Sequence, residues 1–313
     1  MRSRFPVSWS RRRTTGVAIR LPEYGQIAYD RVADAYDDLW SRHVVGPNAR
    51  LTRGLALRHG ERVADLACGT GLYTLEMARL VTPGEVVGVD YSEGMLATAR
   101  ERAEQEGLSL SLVHARAEEF IAKAPARSLD AVSLRFALAY LDWRDVLPRI
   151  GRTLRPGGRA GVLTSLTSSI PQLAELYRRF RKSPEPAWKL FQHTHRSLGE
   201  TWRLYRKLRE SYGEPRFITV PDDVAQVAAR LGQGGLATRE TWTETIRLWF
   251  DSGDEVVAWM VDSGYVTHDS LEHVEPVTMR FLKRLFAEGM ESFRQPRGIP
   301  LDLVVGGVIA GRD

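Results

Sequence analysis

From Arg62 to Leu166 the sequence alternates short apolar runs with longer stretches of helical periodicity, and this alternation leaves few folds open. Arg62 to Ala67 is a β-prone run ending in a glycine-rich turn, and Leu72 to Leu80 follows with helical spacing. After a turn at Pro83-Gly84, Val86 to Asp90 reads as a buried strand. Ser92 to Glu106 reads as a helix with Ser92 as its N-cap. Leu110 to His114 and Leu129 to Leu134 are further strands. A helix from Trp143 to Leu154 ends at Arg155-Pro156-Gly157-Gly158, and Arg159 to Leu166 is the fifth strand. Strands separated by helices need crossover connections, so they assemble as a mostly parallel sheet with right-handed links.

The flanks complete the picture. Residues 24–58 carry apolar side chains at three-to-four spacing (Tyr24, Ile27, Ala28, Val32, Ala35, Tyr36, Leu39, Trp40) and predict two helices, broken at Gly46-Pro47. Residues 170–212 read as helices without intervening strands. A helix at Asp222–Leu231 and a strand near Thr241–Trp249 resume the α/β rhythm. Helices near Asp254–Asp262 and Glu275–Phe293 and a last strand at Leu301–Ala310 close the chain. The expected fold class is α/β, a doubly wound, mostly parallel seven-stranded sheet with a helical lid insertion. The expected division is a disordered basic tail (1–22), a cofactor-binding core with N-terminal helices (23–166), a helical lid (167–215) and a segment completing the sheet (216–313).

The net charge of +5 suggests nucleic acid, but its distribution argues otherwise. Residues 1–20 hold six arginines and no acid, leaving about −1 for the rest. An Arg- and Ser-rich, acid-poor tail also matches an organellar transit peptide. The plainer reading, a disordered extension or an over-long gene start, is preferred, and the expected location is the cytoplasm, with organellar targeting by the tail left open. No apolar run is long enough to span a bilayer. Cys68 is the only cysteine, which excludes an internal disulfide and a cysteine-rich zinc site.

The chemistry concentrates in Val63-Ala64-Asp65-Leu66-Ala67-Cys68-Gly69-Thr70-Gly71. Small residues at a strand end let the backbone approach a ligand, and the next helix offers free N–H groups. The glycine spacing differs from the Gly-x-Gly-x-x-Gly of dinucleotide enzymes. An acid at the start of the turn would repel a pyrophosphate and suits a ligand carrying an ammonium group. About twenty residues on, Asp90 ends the next strand, where a carboxylate can accept both hydroxyls of a ribose.

Asp65-Leu66-Ala67-Cys68-Gly69-Thr70-Gly71 closely resembles the first motif of class I S-adenosylmethionine (SAM)-dependent methyltransferases. Val89 to Leu96 looks like the next family motif, and Val113 to Phe120 like the segment that packs on the adenine. Leu129 to Leu141 resembles the fourth-strand motif, and Leu154-Arg155-Pro156-Gly157-Gly158 the turn before strand five. The pattern Tyr29-Asp30-Arg31-Val32-Ala33 to Tyr36-Asp37 is similar to the small-molecule type that includes ubiquinone- and menaquinone-biosynthesis methyltransferases. The resemblance covers residues 27–166 and extends loosely to 216–250 and the final strand.

That resemblance implies SAM as the cofactor and a role for each matching residue. Asp65, Ala67, Gly69 and Gly71 would surround the methionine portion, and Asp90 would hold the ribose. Tyr91 or Met95 would flank the adenine, with Ala117 and Glu118 at its edge. Arg135 and Phe136 would sit beside the sulfonium, and Tyr36 would close the pocket. There are departures. Ala67 replaces the usual first glycine. Arg116 stands where many relatives have an acid and is not assigned to adenine. Ala139-Tyr140 replaces a common histidine pair. Tyr36 also reads as a core aromatic, Glu118 as a solvated helix-start acid, and Cys68 as a small buried filler.

Methyl transfer needs alignment and desolvation more than an invariant catalytic group. Tyr140 and His193 are the candidate catalytic residues, with Asp142, His43 and His195 as further bases by type or position. His193-x-His195 also has metal-pair spacing, but no third ligand is evident, and no metal is expected. Residues 171–210 carry ten Arg or Lys against four Asp or Glu, among Tyr177, Phe180, Trp188, Phe191, Trp202 and Tyr205. An aromatic, arginine-bearing lid suits a sizeable apolar acceptor with an acidic group, and a solvated basic face reads the same way.

The expected function is methyl transfer from SAM to O, C or N of a small, apolar or aromatic metabolite of quinone, polyketide or isoprenoid type. A methyltransferase-fold protein that cyclises or isomerises is an alternative. So is a nucleic-acid methyltransferase, although Ser133-Leu134-Arg135-Phe136 lacks the acid-or-Asn, double-proline, aromatic signature of amino-methylating members. The expected partner is a small-molecule acceptor, without nucleic acid or a membrane span; homo-oligomerisation is left open.

Overall fold

The computed structural model describes residues 29–30, 32–33, 35–182, 220–263 and 276–313. The basic tail and most of the lid insert, including His193 and His195, lie outside the described residues.

Seven strands form one sheet in the order β3-β2-β1-β4-β5-β7-β6. β1 (Arg62–Leu66) lies parallel to β2 (Glu85–Asp90) on one side and to β4 (Leu129–Arg135) on the other. β3 (Ser111–His114) and β5 (Leu154–Ser165) extend the parallel set. β7 (Ile299–Gly311) runs antiparallel between β5 and the edge strand β6 (Ala237–Phe250). In chain order the helices are α1 (Tyr36–Leu39), α2 (Val45–Leu55), α3 (Leu72–Val81), α4 (Glu93–Gln105) and α5 (Ala117–Lys123). They continue as α6 (Trp143–Thr153), α7 (Pro171–Lys182), α8 (Val224–Gln233), α9 (Gly253–Asp262) and α10 (Pro276–Glu291).

Neighbouring residues of a strand point to opposite faces, so with both faces covered β1 places apolar residues on each side, and Asp65 is its one buried charge. Val63 joins Leu51 and Leu55 of α2 and Met77 and Val81 of α3 on one face. Ala64 and Leu66 join Ile121 of α5, Trp143 and Leu147 of α6 and Leu231 of α8 on the other. This is the doubly wound arrangement expected from the alternation. Leu51, Leu55, Leu66 and Leu147 are fully buried, each contributing roughly 1.5–3 kcal/mol. A third cluster joins Trp40, Leu176, Trp259 and Met290 to Leu248 of β6 and Ile299, Leu301 and Leu303 of β7, where α7, α9 and α10 gather.

Several expectations needed adjustment. Gly46-Pro47 does not break a helix; both residues lie in the first turn of α2, where a missing N–H costs nothing. α2 ends at Leu55, with Ala56 at φ +44°. The Arg159 guanidinium, buried and paired with Glu61 at 2.6 Å, satisfies the terminal carbonyls of Leu55 and Ala56. β6 begins at Ala237, four residues before the expected start, because backbone pairing with β7 holds a polar stretch that hydropathy passes over. β5 already pairs with β4 at Leu154, and Arg155, Pro156 and Gly157 loop outward as an irregularity before the ladder resumes at Arg159.

Candidate active site

Strand order reverses at β1: β2 and β3 lie to one side, β4 and β5 to the other. Helices leave such a point in opposite directions and open a crevice at the carboxyl ends of the strands. An open cavity lies there, lined from the carboxyl ends of β1, β2 and β4.

The turn after β1 forms its floor. Ala67 and Gly69 adopt φ of +56° and +55°. A Cβ on Gly69 would meet nothing within 4 Å, so glycine is needed for the conformation and leaves bare backbone facing the cavity. Gly71 does something else. It starts α3 at φ +76°, and a Cβ there would fall 2.8 Å from that of Ala99. It brings α3 and α4 together and does not line the cavity.

Asp90 ends β2 with its carboxylate buried. Oδ2 accepts from the Gly69 amide at 2.8 Å and Oδ1 from the Ser92 amide at 2.9 Å. Each oxygen keeps a lone pair, and the residue lines the cavity. Burial pushes its pKa up, opposed by those amide bonds. Ser92 caps α4 as expected, accepting from the Met95 amide. Tyr91, Met95, Ala115 and Ala117 make an adjoining apolar wall. Arg116 lies over the Tyr91 ring and donates to Glu118 and to the Tyr140 carbonyl, and Glu118 accepts from the Asp142 amide. This pair ties the β3 side of the cavity to the turn after β4.

The third wall follows β4. Phe136 adopts φ +51°, rare for a bulky residue and costing about 1–3 kcal/mol. Its amide bond to the Leu163 carbonyl (2.7 Å) and its ring edge-on to Trp40 (5.3 Å) hold it there. The reversal brings Phe136, Ala137 and Tyr140 to the cavity. Tyr29 and Tyr36 complete the wall; Tyr29 meets Tyr36 at 5.9 Å and Tyr140 at 5.3 Å, both edge-on. Burial raises the phenol pKa of both Tyr29 and Tyr36 well above the ordinary value, with the Tyr140 phenol adding to each.

Two carboxylates clasp this N-terminal segment to the core. Asp30 accepts from Ser92 Oγ and the Gly94 amide at the start of α4. Asp37 accepts from Arg102 (2.6 Å), Thr70 Oγ1 (3.0 Å) and Ser41 Oγ (2.6 Å).

Of the residues singled out in the sequence, Tyr36, Ala67, Gly69, Asp90, Tyr91, Met95, Ala117, Glu118, Arg135 and Tyr140 line one cavity. Asp65 and Gly71 do not. Asp65 is buried beneath the floor, its Oδ1 taken by Arg135 at 3.0 Å and its Oδ2 by Thr74 at 2.7 Å. Both carboxylate oxygens are thus engaged within the protein. His43 sits outside the cavity, edge-on to Trp259, and burial and Arg42 lower its pKa. The Cys68 thiol is pushed up by burial and by Asp90 and Asp65, as suits an inert filler. His193 lies outside the described residues. Tyr29, Arg116 and the two clasping acids were not assigned from the sequence, although Tyr29, Asp30 and Asp37 belong to the pattern preceding the first motif. Among the described residues no cluster of three His, Cys, Asp or Glu could hold a metal, and no helix is long and apolar enough to cross a membrane.

This strand order, with a glycine turn joined to a strand-end carboxylate at the reversal, defines a nucleoside-cofactor enzyme of the methyltransferase type. A family model described as a methyltransferase domain matches residues 63–158. The demethylmenaquinone methyltransferase of Staphylococcus aureus is 31% identical over 172 residues, covering 52% of this chain and 69% of that protein. The solved YcgJ protein of Bacillus subtilis superposes with a TM-score of 0.53 at 18% identity, covering 85% of this chain and 98% of that one. A phosphoethanolamine N-methyltransferase of Haemonchus contortus gives 0.51 at 16% identity, over 94% of this chain and 60% of that one. The chain belongs to the class I SAM-dependent methyltransferases, and within them it resembles the quinone-biosynthesis enzymes.

The residues present fit that cofactor. Asp90 keeps acceptor capacity beside bare backbone at Gly69, and an apolar wall stands next to it. When bound, SAM supplies an electrophilic methyl group on sulfur.

Proposed function

We propose that the enzyme methylates O, C or N of a small, apolar or aromatic acceptor of quinone, polyketide or isoprenoid type. The observation that carries this reading is the aromatic wall at the end of β4: Tyr29, Tyr36, Phe136 and Tyr140 share the cavity with Asp90. Flat apolar walls bury flat apolar molecules and exclude water, and a polar amine would lose its hydration there without recompense. The demethylmenaquinone relatives point the same way.

In this reading Asp90 accepts the ribose hydroxyls, and Tyr91, Met95 and Ala117 pack against the adenine with Glu118 at its edge. Arg135 and the 67–69 turn meet the amino-acid end. Tyr29 and Tyr36 keep their protons, because burial disfavours the phenolate, and so orient an acceptor oxygen by donating to it. Tyr140, on the turn tied down by Arg116, stands where an acceptor proton would leave. The described residues up to 166 carry the cofactor, and those at 237–250 and 299–311 complete the sheet. The enzyme acts in the cytoplasm.

The test is incubation with methyl-labelled SAM and a panel of demethylmenaquinol, simple phenols, an aromatic polyketide, a prenyl diphosphate and small polar amines. Mass-resolved methylation of one of the apolar members supports the proposal. Transfer only to polar amines would overturn it.

A further inference from the structure

Arg135 is buried, with 6% of its side chain exposed, yet it lines the cavity. Four elements hold its guanidinium. It bonds Asp65 of β1 (3.0 Å), Ser133 of β4 and Thr52 of α2 (3.2 Å), and it lies against Met77 and over the Tyr73 ring of α3. One donor is left over: Nε is buried without a hydrogen-bond partner. A buried unpaired N–H is costly, so such a donor marks a place where an acceptor is expected.

The charge of that acceptor follows from Asp65. Both its oxygens are engaged, one by Arg135 and one by Thr74, so what the pair leaves unfilled is an N–H donor and no acceptor. A carboxylate oxygen can accept from that donor, whereas an ammonium, a donor only, cannot. Resting on the cofactor reading above, we propose that Arg135 receives the α-carboxylate of the cofactor's methionine end, with Nε–H as the donor held for it. Asp65 acts as a positioning residue that fixes the guanidinium from below.

Three ligands test this by calorimetry: S-adenosylhomocysteine, its decarboxylated analogue and 5′-methylthioadenosine, which lacks the amino-acid end. The wild type should bind S-adenosylhomocysteine roughly ten- to hundredfold more tightly than the decarboxylated analogue, the range for a charge-assisted hydrogen bond. Arg135→Gln should shrink that ratio to within about threefold while methylthioadenosine affinity holds, and Arg135→Lys should keep part of it. Equal binding of the two amino-acid ligands by the wild type would overturn the assignment and leave the cofactor reading standing, as would a ratio that survives in Arg135→Gln. If Arg135→Gln fails to fold because Asp65 is left unpaired, the double variant Asp65→Asn/Arg135→Gln removes both charges and is read by the same ratio. Binding of none of the three would overturn the cofactor reading and this assignment with it.

Discussion

The Gly69 amide donates to Asp90 Oδ2 at 2.8 Å, joining two motifs twenty-one residues apart into one structural unit. The bond orients the carboxylate, and burial raises its pKa above 3.8. Between 3.8 and the raised value the native state holds a proton that the unfolded chain has released. In that window the contribution of Asp90 to apo stability falls as pH rises. Cofactor affinity runs the opposite way, because two ribose hydroxyls need a charged acceptor. S-adenosylhomocysteine affinity should therefore fall on acidification at a higher pH than an ordinary carboxylate would give. Asp90→Asn should weaken binding by about ten- to hundredfold and flatten the dependence. A midpoint that stays in place in Asp90→Asn would assign the titration to another group.

Asp37 binds the N-terminal segment to the glycine turn through Arg102 and Thr70, both side chains of the ion pair being about three-quarters buried. Asp37→Ala should cost about 1–3 kcal/mol of stability, since it strands a partly buried guanidinium. It should also weaken cofactor binding several-fold, because Tyr36 is the adjacent residue and lines the cavity. Arg102→Ala should do the same, and the double variant should cost less than the sum of the two. Urea denaturation with S-adenosylhomocysteine titration checks it. Strict additivity would mean that the two residues act separately.

Ala67 carries φ +56° where a glycine would be relaxed. The left-handed region costs an alanine about 1–2 kcal/mol, and glycine loses about 0.5–1 kcal/mol more backbone entropy on folding. Ala67→Gly should therefore stabilise the fold by about 0.5–1 kcal/mol, seen as a higher urea midpoint at unchanged slope. A lower midpoint would show that the Ala67 methyl, beside the core residues of β1 and β2, packs for more than its strain costs.

Much of this architecture is legible in the sequence because it rests on local signals. Apolar runs mark β1, β2 and β4, a serine marks the cap of α4, and Asp90 is recognisable from its distance to the glycine turn. Side-chain direction is not local. Asp65 and Arg135 are seventy residues apart, and nothing in either segment says that one neutralises the other beneath the cavity floor. Gly71 and Gly69 sit in one motif, but only the packing against Ala99 separates a glycine that admits a helix from one that faces the cavity. Tyr29 falls off the apolar face read for residues 24–40 and enters the sequence reading only as part of a pattern, yet it lines the cavity beside Asp30, which docks on α4. Phe136 can be placed beside β4 from sequence, but its positive φ, which turns the chain into the site, cannot.

Tyr36 gives the clearest test of how the aromatic wall works. Burial raises its phenol pKa, and the Tyr140 phenol and the charges of Asp37 and Asp90 add to the effect. A phenol so placed keeps its proton through the neutral range, so it can donate a hydrogen bond but cannot act as a base there. Tyr36→Phe should lower kcat/KM by about tenfold or less, the worth of one neutral hydrogen bond, and should leave the pH profile between 6 and 9 unchanged in shape. The same shift has a stability consequence. Unfolded tyrosines ionise near 10, whereas Tyr29 and Tyr36 in the fold resist, and Tyr73 is pushed up to about 12. Above pH 10 the native state thus holds protons the unfolded chain has lost, and stability should fall as pH rises. That alkaline loss should be smaller in Tyr36→Phe, measured by urea midpoints at pH 9 and 11. An inflection near neutrality that disappears in Tyr36→Phe would instead mean that the phenol titrates during turnover, and the wall would then hold the base.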